Sequence, residues 1–321
     1  MRGGEDDDSD ARGPTVHRLM LGRLLHRLRI EADISSDDAA EVIRASRSKI
    51  SRMENGRVGF KSRDVTDLLF RYGVTDAGTI AKVQALARCA NAPGWWTQYA
   101  DVTPDWFGEY LGLETAASLI RTFEAQFVPG LFQTPEYARA VILLGNSTAP
   151  PDEIERRVAL RISRQDVLTA QHPPVVWSIL DEGAIRRQVG SRAVMRQQLS
   201  RLVEVADGQR NVIVQVVPVE SGGYADAGGS FSILRFPGAQ VPDIVYIEQL
   251  TSALYLDKRE DVDHYMEVID SLCTDALSPT DTRDFIAKAA RELLSRARGF
   301  PAHHPRHRLA VTTPKSGPGA G

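Results

Sequence analysis

Leu21, Leu24, Leu25 and Leu28 recur at i, i+3, i+4 and i+7, the apolar stripe of an amphipathic helix. A second, shorter helix is signalled by Ser35 and Ser36 as capping candidates before DDAAEVI. Its aspartates suit the positive end of a helix, and Ala39, Ala40 and Ile43 turn inward. After a tight connection at Arg44 and Ala45, Ser46 caps a third helix on which Ile50 and Met53 face a core. Gly56 ends that helix, being the residue type that tolerates a left-handed turn. A fourth helix, SRDVTDLLFRYGV with Ser62 as its cap, and a fifth, TDAGTIAKVQALARCA, complete an all-α module over residues 15–90. Next, NAPGWWTQYADVTPDWFGEYLGLE gathers three of the four tryptophans, and residues 91–109 read as a packed linker. Trp95, Trp96, Tyr99, Trp106 and Phe107 are candidates for an aromatic ligand cage, with rings that seal one domain against another as the plainer alternative.

Residues 110–298 mix the two periodicities. SLIRTFEAQFVPGLFQ predicts a β element, and Thr134 with Pro135 starts a helix through TPEYARAVILLG. A long helix over about 152–170, a strand VVWSIL, a short helix GAIRRQVG and another helix MRQQLSRLVEVAD follow. The runs NVIVQVVPV, SFSILRF and DIVYIEQL are joined by loops too short for crossover helices, which predicts a mainly antiparallel sheet and an α+β domain. VDHYMEVIDSLC and TDTRDFIAKAARELLSRA close it as two helices.

At 321 residues the chain far exceeds the helical module, so the second domain has room for a core of its own. A hydrophobic content of 42% with 25% charged residues is ordinary for a soluble protein. No stretch approaches the roughly 20 apolar residues that cross a membrane, so a cytoplasmic protein is expected. Residues 1–14 are acidic, lack the apolar centre of a signal peptide and read as a disordered tail. Residues 299–321 hold three of the seven histidines in Pro- and Gly-rich sequence, a second disordered tail rather than a metal site. Cys89 and Cys273 are expected to be buried, reduced thiols.

Charge singles out the first module. The chain carries a formal net charge of −3, yet residues 12–90 hold 15 Lys or Arg against 9 Asp or Glu. With Ile50 and Met53 inward, Ser48, Ser51 and Arg52 point outward on the third helix and Arg47 and Lys49 flank them. Arginine donates two bonds to the N7 and O6 edge of guanine, serine meets several base edges, and lysine supplies charge to phosphates. The plainer alternative is a solvated basic face. Lys61 and Arg63, before the fourth helix, are further phosphate candidates.

The second domain offers weaker chemistry. Glu114, Asp181, Glu182 and Glu248 are its carboxylate candidates for acid and base roles. Asp181 and Glu182 sit at a strand-to-helix boundary, where capping is the simpler role. SGGYADAGGS lacks the G-K-S/T ending of a phosphate loop and reads as a hairpin turn, and His264 stands alone in a late helix. No catalytic residue, cofactor or metal is expected.

The three consecutive helices and the stretch RASRSKISRMENGR at 44–57 resemble the xenobiotic-response-element family of helix-turn-helix regulators, related to the phage repressors; the resemblance covers about residues 17–90, and MENGR is its most specific part. It implies a five-helix, lambda-repressor-like domain that binds double-stranded DNA. By that resemblance Arg47, Ser48 and Arg52 stand at base-contacting positions, and Ser46 and the backbone near Asn55 stand where phosphates are held; Lys49 and Ser51, by their place on the same helix, are flanking candidates. The family's glutamine at the start of helix two is Ser36 here, a residue still able to bond a phosphate. Arg29 and Glu54 resemble a pair that locks two helices together, a structural role that removes both from the DNA contacts.

Through LETAASLIRTFEAQFVPGLFQTPEYARA, VVWSILDEGAIRRQVGS and NVIVQVVPV, residues 105–290 resemble the sensor-like or partner-binding domain that follows the helix-turn-helix in many actinobacterial-type regulators. The combined resemblance implies a transcriptional regulator, and a homodimer on paired half-sites is expected because one small helix in one groove offers few contacts. The alternative it leaves is an antitoxin-like module that neutralises a small partner protein encoded nearby, with DNA binding as autoregulation.

Overall fold

The computed structural model describes residues 13–221, 228–238 and 241–295. The acidic start, the histidine-bearing end and most of the glycine-rich SGGYADAGGS segment lie outside the described residues.

Five helices make the first module: α1 (Pro14–Glu31), α2 (Ser36–Val42), α3 (Arg47–Glu54), α4 (Ser62–Arg71) and α5 (Ala77–Asn91). Their apolar faces converge on Leu21, Leu25, Ile50, Met53, Phe60 and Leu68, each at most 2% exposed. Pro14 starts α1, inside the stretch expected to be tail, because proline at the first helical position fits both the fixed φ and the missing N–H. Ser35, not Ser36, caps α2 by accepting from the Asp38 amide. Ser62 does not cap α4: Lys61 holds the cap position, and the Ser62 hydroxyl donates to Gln84 on α5 instead.

A short 3-10 turn (Trp95–Tyr99) leads to α6 (Asp105–Ala116), which begins inside the segment expected to be linker. The larger domain then runs β1 (Leu119–Glu124), α7 (Pro135–Gly145), α8 (Pro151–Ser163), β2 (Val175–Asp181), α9 (Glu182–Arg186), α10 (Arg192–Gly208), β3 (Val212–Val217), β4 (Phe231–Arg235), β5 (Ile244–Glu248), β6 (Ala253–Leu256), α11 (Arg259–Asp275) and α12 (Pro279–Ser295). The helix expected over 152–170 stops at Ser163 and tightens into a 3-10 turn from Arg164 to Thr169.

The strand order is β3-β2-β1-β4-β5-β6. β1, β2 and β3 pair in parallel, whereas β4, β5 and β6 continue antiparallel from β1. The expectation of a mainly antiparallel sheet is therefore corrected to a mixed sheet. Helices α7 and α8 form the crossover between β1 and β2, and α9 and α10 the one between β2 and β3, lengths that return the chain in the same direction. One face packs Ile120, Val176, Leu180 and Val214 against α10 and α12; the other packs Phe123, Ile179, Phe231 and Val245 against α11.

The two modules share α1. Its first turn contributes Val16 to the second domain's core beside Tyr110 and Leu113, while Leu21 and Leu25 belong to the first module's core. At the crossing with α6 the approach is so close that a Cβ on Gly112 would overlap Thr15. Arg23 on α1 also pairs with Asp257 after β6 at 2.9 Å.

Among the described residues no helix is long and apolar enough to cross a membrane.

Candidate nucleic-acid interface

The turn between α2 and α3 is set by hydrogen bonds that close α2. The Ala45 amide reaches back to the Ala40 carbonyl (2.9 Å) and the Arg44 amide to Glu41 (3.1 Å), with Arg44 at φ 51°. This reversal turns the chain so that Ser46 stands at the start of α3, where its hydroxyl accepts from the Lys49 amide at 3.3 Å. At the other end the same pattern recurs, with Gly56 at φ 67° and the Arg57 amide bonded to the Arg52 carbonyl at 2.8 Å.

Three features then hold α3 in place. Ile50 and Met53 are each 1% exposed. Gly22 lets α1 cross against the α3 backbone, since a Cβ there would come within 2.5 Å of the Met53 and Glu54 carbonyl oxygens. Arg29 binds Glu54 through Nε (2.6 Å) and Nη2 (3.0 Å), and its Nη1 donates to the Ile34 carbonyl at 2.9 Å. Burial pushes the Glu54 carboxyl up, but hydrogen bonds and charge from Arg29 and His26 outweigh it and leave the group below its ordinary range. Tyr72 beside this pair is pushed up to about 12, chiefly by burial. His26 Nδ1 also lies 2.9 Å from Glu54, a contact that the sequence signals only through the i, i+3 spacing of His26 to Arg29 on α1.

What α3 presents outward is Arg47, Ser48, Ser51 and Arg52, all exposed. Among the described residues neither Arg47 nor Arg52 has an ion-pair partner, so both guanidiniums are available to an anionic ligand. Lys49 differs from its neighbours: its Nζ lies 2.7 Å from the nearly buried Asp64, tying α3 to α4. Asn55 turns its amide back onto the Ser51 carbonyl at 2.8 Å. Ser36 is half-buried in the first turn of α2, and Lys61 is exposed. Arg63, 81% exposed, makes only a 3.5 Å contact with Asp67. Arg44 and Arg57, at the two ends of α3, are additional exposed cations that the helical pattern alone does not single out. The assembled surface is a short helix with two free arginines and two serines on one face, backed by a rigid attachment to α1 and α4.

Where this module meets the second domain, a cleft of about 610 Å³ is lined by Arg18, Arg57, Trp96, Trp106, Glu109 and Tyr255, among others. Burial raises the Glu109 carboxyl, with Arg57 and Arg18 opposing. The five candidate cage rings pack edge-on in two groups: Trp95 meets Trp96 at 6.0 Å and Tyr99 at 6.4 Å, and Trp106 meets Phe107 at 5.9 Å. Only Trp96 and Trp106 line this cleft, while Tyr99 lies under Arg156 at 5.6 Å and Phe107 stacks on Tyr110 at 5.7 Å.

The carboxylates of the second domain are likewise separated. Asp181 caps α9 by accepting from the Gly183 amide at 2.6 Å, and Glu182 accepts from the Val219 amide at 2.9 Å and pairs with Arg186. Glu114 is clamped by Arg164, while Glu248 at the end of β5 is exposed. His264 lies on α11 with an exposed ring. Cys89 and Cys273 are free and only half-buried, not fully buried as expected. Among the described residues no cluster of His, Cys, Asp and Glu is placed to hold a metal ion.

Residues 20–79 match a family model described as a helix-turn-helix domain. Residues 107–288 match another, described as a domain of unknown function (DUF5753). No curated protein and no solved structure matches the chain significantly.

Proposed function

The chain belongs to the DUF5753 family and carries a helix-turn-helix domain ahead of it, and from that premise we propose a transcriptional regulator that reads DNA sequence with α3 in the major groove. The observation that carries the reading is the outward face of α3, where Arg47 and Arg52 are exposed without an ion-pair partner while the helix behind them is fixed by buried contacts. Arg47, Ser48 and Arg52 take the base edges. Ser36, Ser46, Ser51, Asn55, Lys61 and Arg63 serve the phosphates. Lys49, committed to Asp64, supports α3 rather than the DNA.

The regulator acts as a homodimer. One short helix in one groove offers few contacts, whereas two symmetric copies roughly add their binding free energies and require a fixed half-site spacing. Control passes from the second domain through α1, because that helix lies in both cores and also holds Glu54 at the end of α3. The partner-neutralising reading shares this DNA module and differs only in what the second domain binds.

The test is a comparison of binding to a selected operator duplex and to random duplex for the wild type and Arg52→Ala. Loss of about 1–3 kcal/mol of discrimination supports base reading. Unchanged discrimination removes Arg52 from the reading surface.

A further inference from the structure

At the end of β1 the sheet carries polar side chains where its core would otherwise be apolar. Thr122 aligns with Ser232 on β4, and Ser232 with Tyr246 on β5. Side chains alternate along a strand, so Glu124 lies on the same face one row further, in line with Ser230 and, by the same register, with Glu248. Tyr246 donates its hydroxyl to Glu248 at 3.2 Å.

Two guanidiniums, one helical turn apart, accompany this row. Arg164 is fully committed: it grips Glu114 at 2.7 and 3.0 Å and lies over the Phe107 and Tyr110 rings at 5.2 and 5.4 Å. Arg161 is not. Its bond goes to the Gln133 amide oxygen at 3.1 Å, and among the described residues no carboxylate lies at ion-pair distance from it. Glu124 and Glu248 are nonetheless near enough for their charge to act on it. Burial foremost, with Arg164 adding to it, brings the Arg161 guanidinium down to about 10. Burial also lifts the Glu124 carboxyl to about 7, opposed by the Ser230 hydroxyl and assisted by Glu248.

Arg161 and Glu124, charges of opposite sign held half-buried with no ion pair between them, are costly on their own and complementary to a ligand that carries both. The position agrees, since β1 has a parallel neighbour on one side and an antiparallel one on the other, and the cluster sits off its C-terminal end. Open α/β sheets bind ligands at such places, and titrating groups displaced from their ordinary range mark them.

We propose that this cluster is a binding site for a small zwitterion of the amino-acid class, its carboxylate on Arg161 and Gln133 and its ammonium between Glu124 and Glu248. A simple anion would leave the two glutamates unmatched, and a simple cation would leave Arg161 unmatched. The site is independent of the DNA reading and is tested without DNA.

The experiment is calorimetric titration and thermal shift of the full chain with each of the twenty standard L-amino acids. Acetate, inorganic phosphate and methylamine serve as single-charge controls. At least one amino acid is expected to bind saturably and at least tenfold more tightly than every control. Arg161→Gln is expected to abolish that binding. Glu248→Gln, on an exposed strand end where folding is not at stake, is expected to weaken it about tenfold, the loss of one charge-assisted contact. The proposal is overturned if no amino acid saturates, if acetate or phosphate binds as well as any amino acid, or if Glu248→Gln and Glu124→Gln both bind like wild type.

Discussion

Replacing Glu54 by alanine isolates the contact that joins α1 to the end of α3. The Arg29 and Glu54 side chains are 8% and 10% exposed, and the pair makes two hydrogen bonds of 2.6 and 3.0 Å. Losing one partner of a buried pair costs about 3–5 kcal/mol, because the other charge stays desolvated. Arg29 keeps its bond to the Ile34 carbonyl, which places the expected loss for Glu54→Ala nearer about 2–4 kcal/mol. The assay is urea unfolding at pH 7 followed by circular dichroism, with an unchanged m-value as the check that only stability moved. The double variant Arg29→Met with Glu54→Leu replaces the pair by apolar groups and is expected within about 1 kcal/mol of wild type. A loss below about 1 kcal/mol for Glu54→Ala would mean that the pair does not lock α1 to α3, because that is the scale of an exposed pair. Acid supplies a second arm. The folded-state pKa of Glu54 lies below the ordinary 4.5, so its stabilisation is complete above that value and is lost as the pH falls through the lowered one. In Glu54→Gln this part of the acid transition is absent.

Gly56→Ala places a Cβ 2.9 Å from the Leu19 amide nitrogen at φ 67°, and urea unfolding should show a loss of more than about 1 kcal/mol. Lys61→Ala should lower the slope of log K against log salt for DNA binding by about 1. Lys49→Ala should lower that slope less and instead cost about 1–3 kcal/mol of stability in urea, because it leaves Asp64 without its partner. Glu124 has a folded-state pKa raised from 4.5 to about 7, so its contribution is full below pH 4.5 and is lost as the pH rises through 7. At about 1.4 kcal/mol per tenfold change in protonation this amounts to at most about 3 kcal/mol. Unfolding of Glu124→Gln measured from pH 5 to 8 should lack that decline.

The first module was legible because its signals are local. The leucine stripe of α1, the Ser46 cap and Gly56 each act within one or two turns, and each stands where the pattern placed it. The sheet order was less so. VVWSIL and NVIVQVV are continuous apolar runs that mark buried strands without stating their neighbours; a short connection suggests that β3 and β4 pair, yet β2 and β1 lie between them, and only the β4–β5 pairing follows from loop length. Contacts between distant residues left no trace in the pattern. Lys49 resembles any exposed lysine on a basic helix until Asp64 of α4 is seen beside it. Arg161 and Glu124 fall on different elements, and only the crossover carrying α8 back from β1 to β2 brings each within reach of the other's charge. Glu114 and Glu248 stand out in the sequence as carboxylates, but the guanidiniums that give them a setting do not, since arginines in a helical pattern read as surface charge.

Whether α3 reads bases is decided by selection of bound sequences from random duplex DNA, with the full chain at about 150 mM salt to suppress purely electrostatic binding. An enriched inverted repeat is expected for the wild type, with loss of that enrichment in Arg47→Ala and Arg52→Ala. No enrichment for the wild type, or the same repeat recovered by both variants, would contradict base reading by α3.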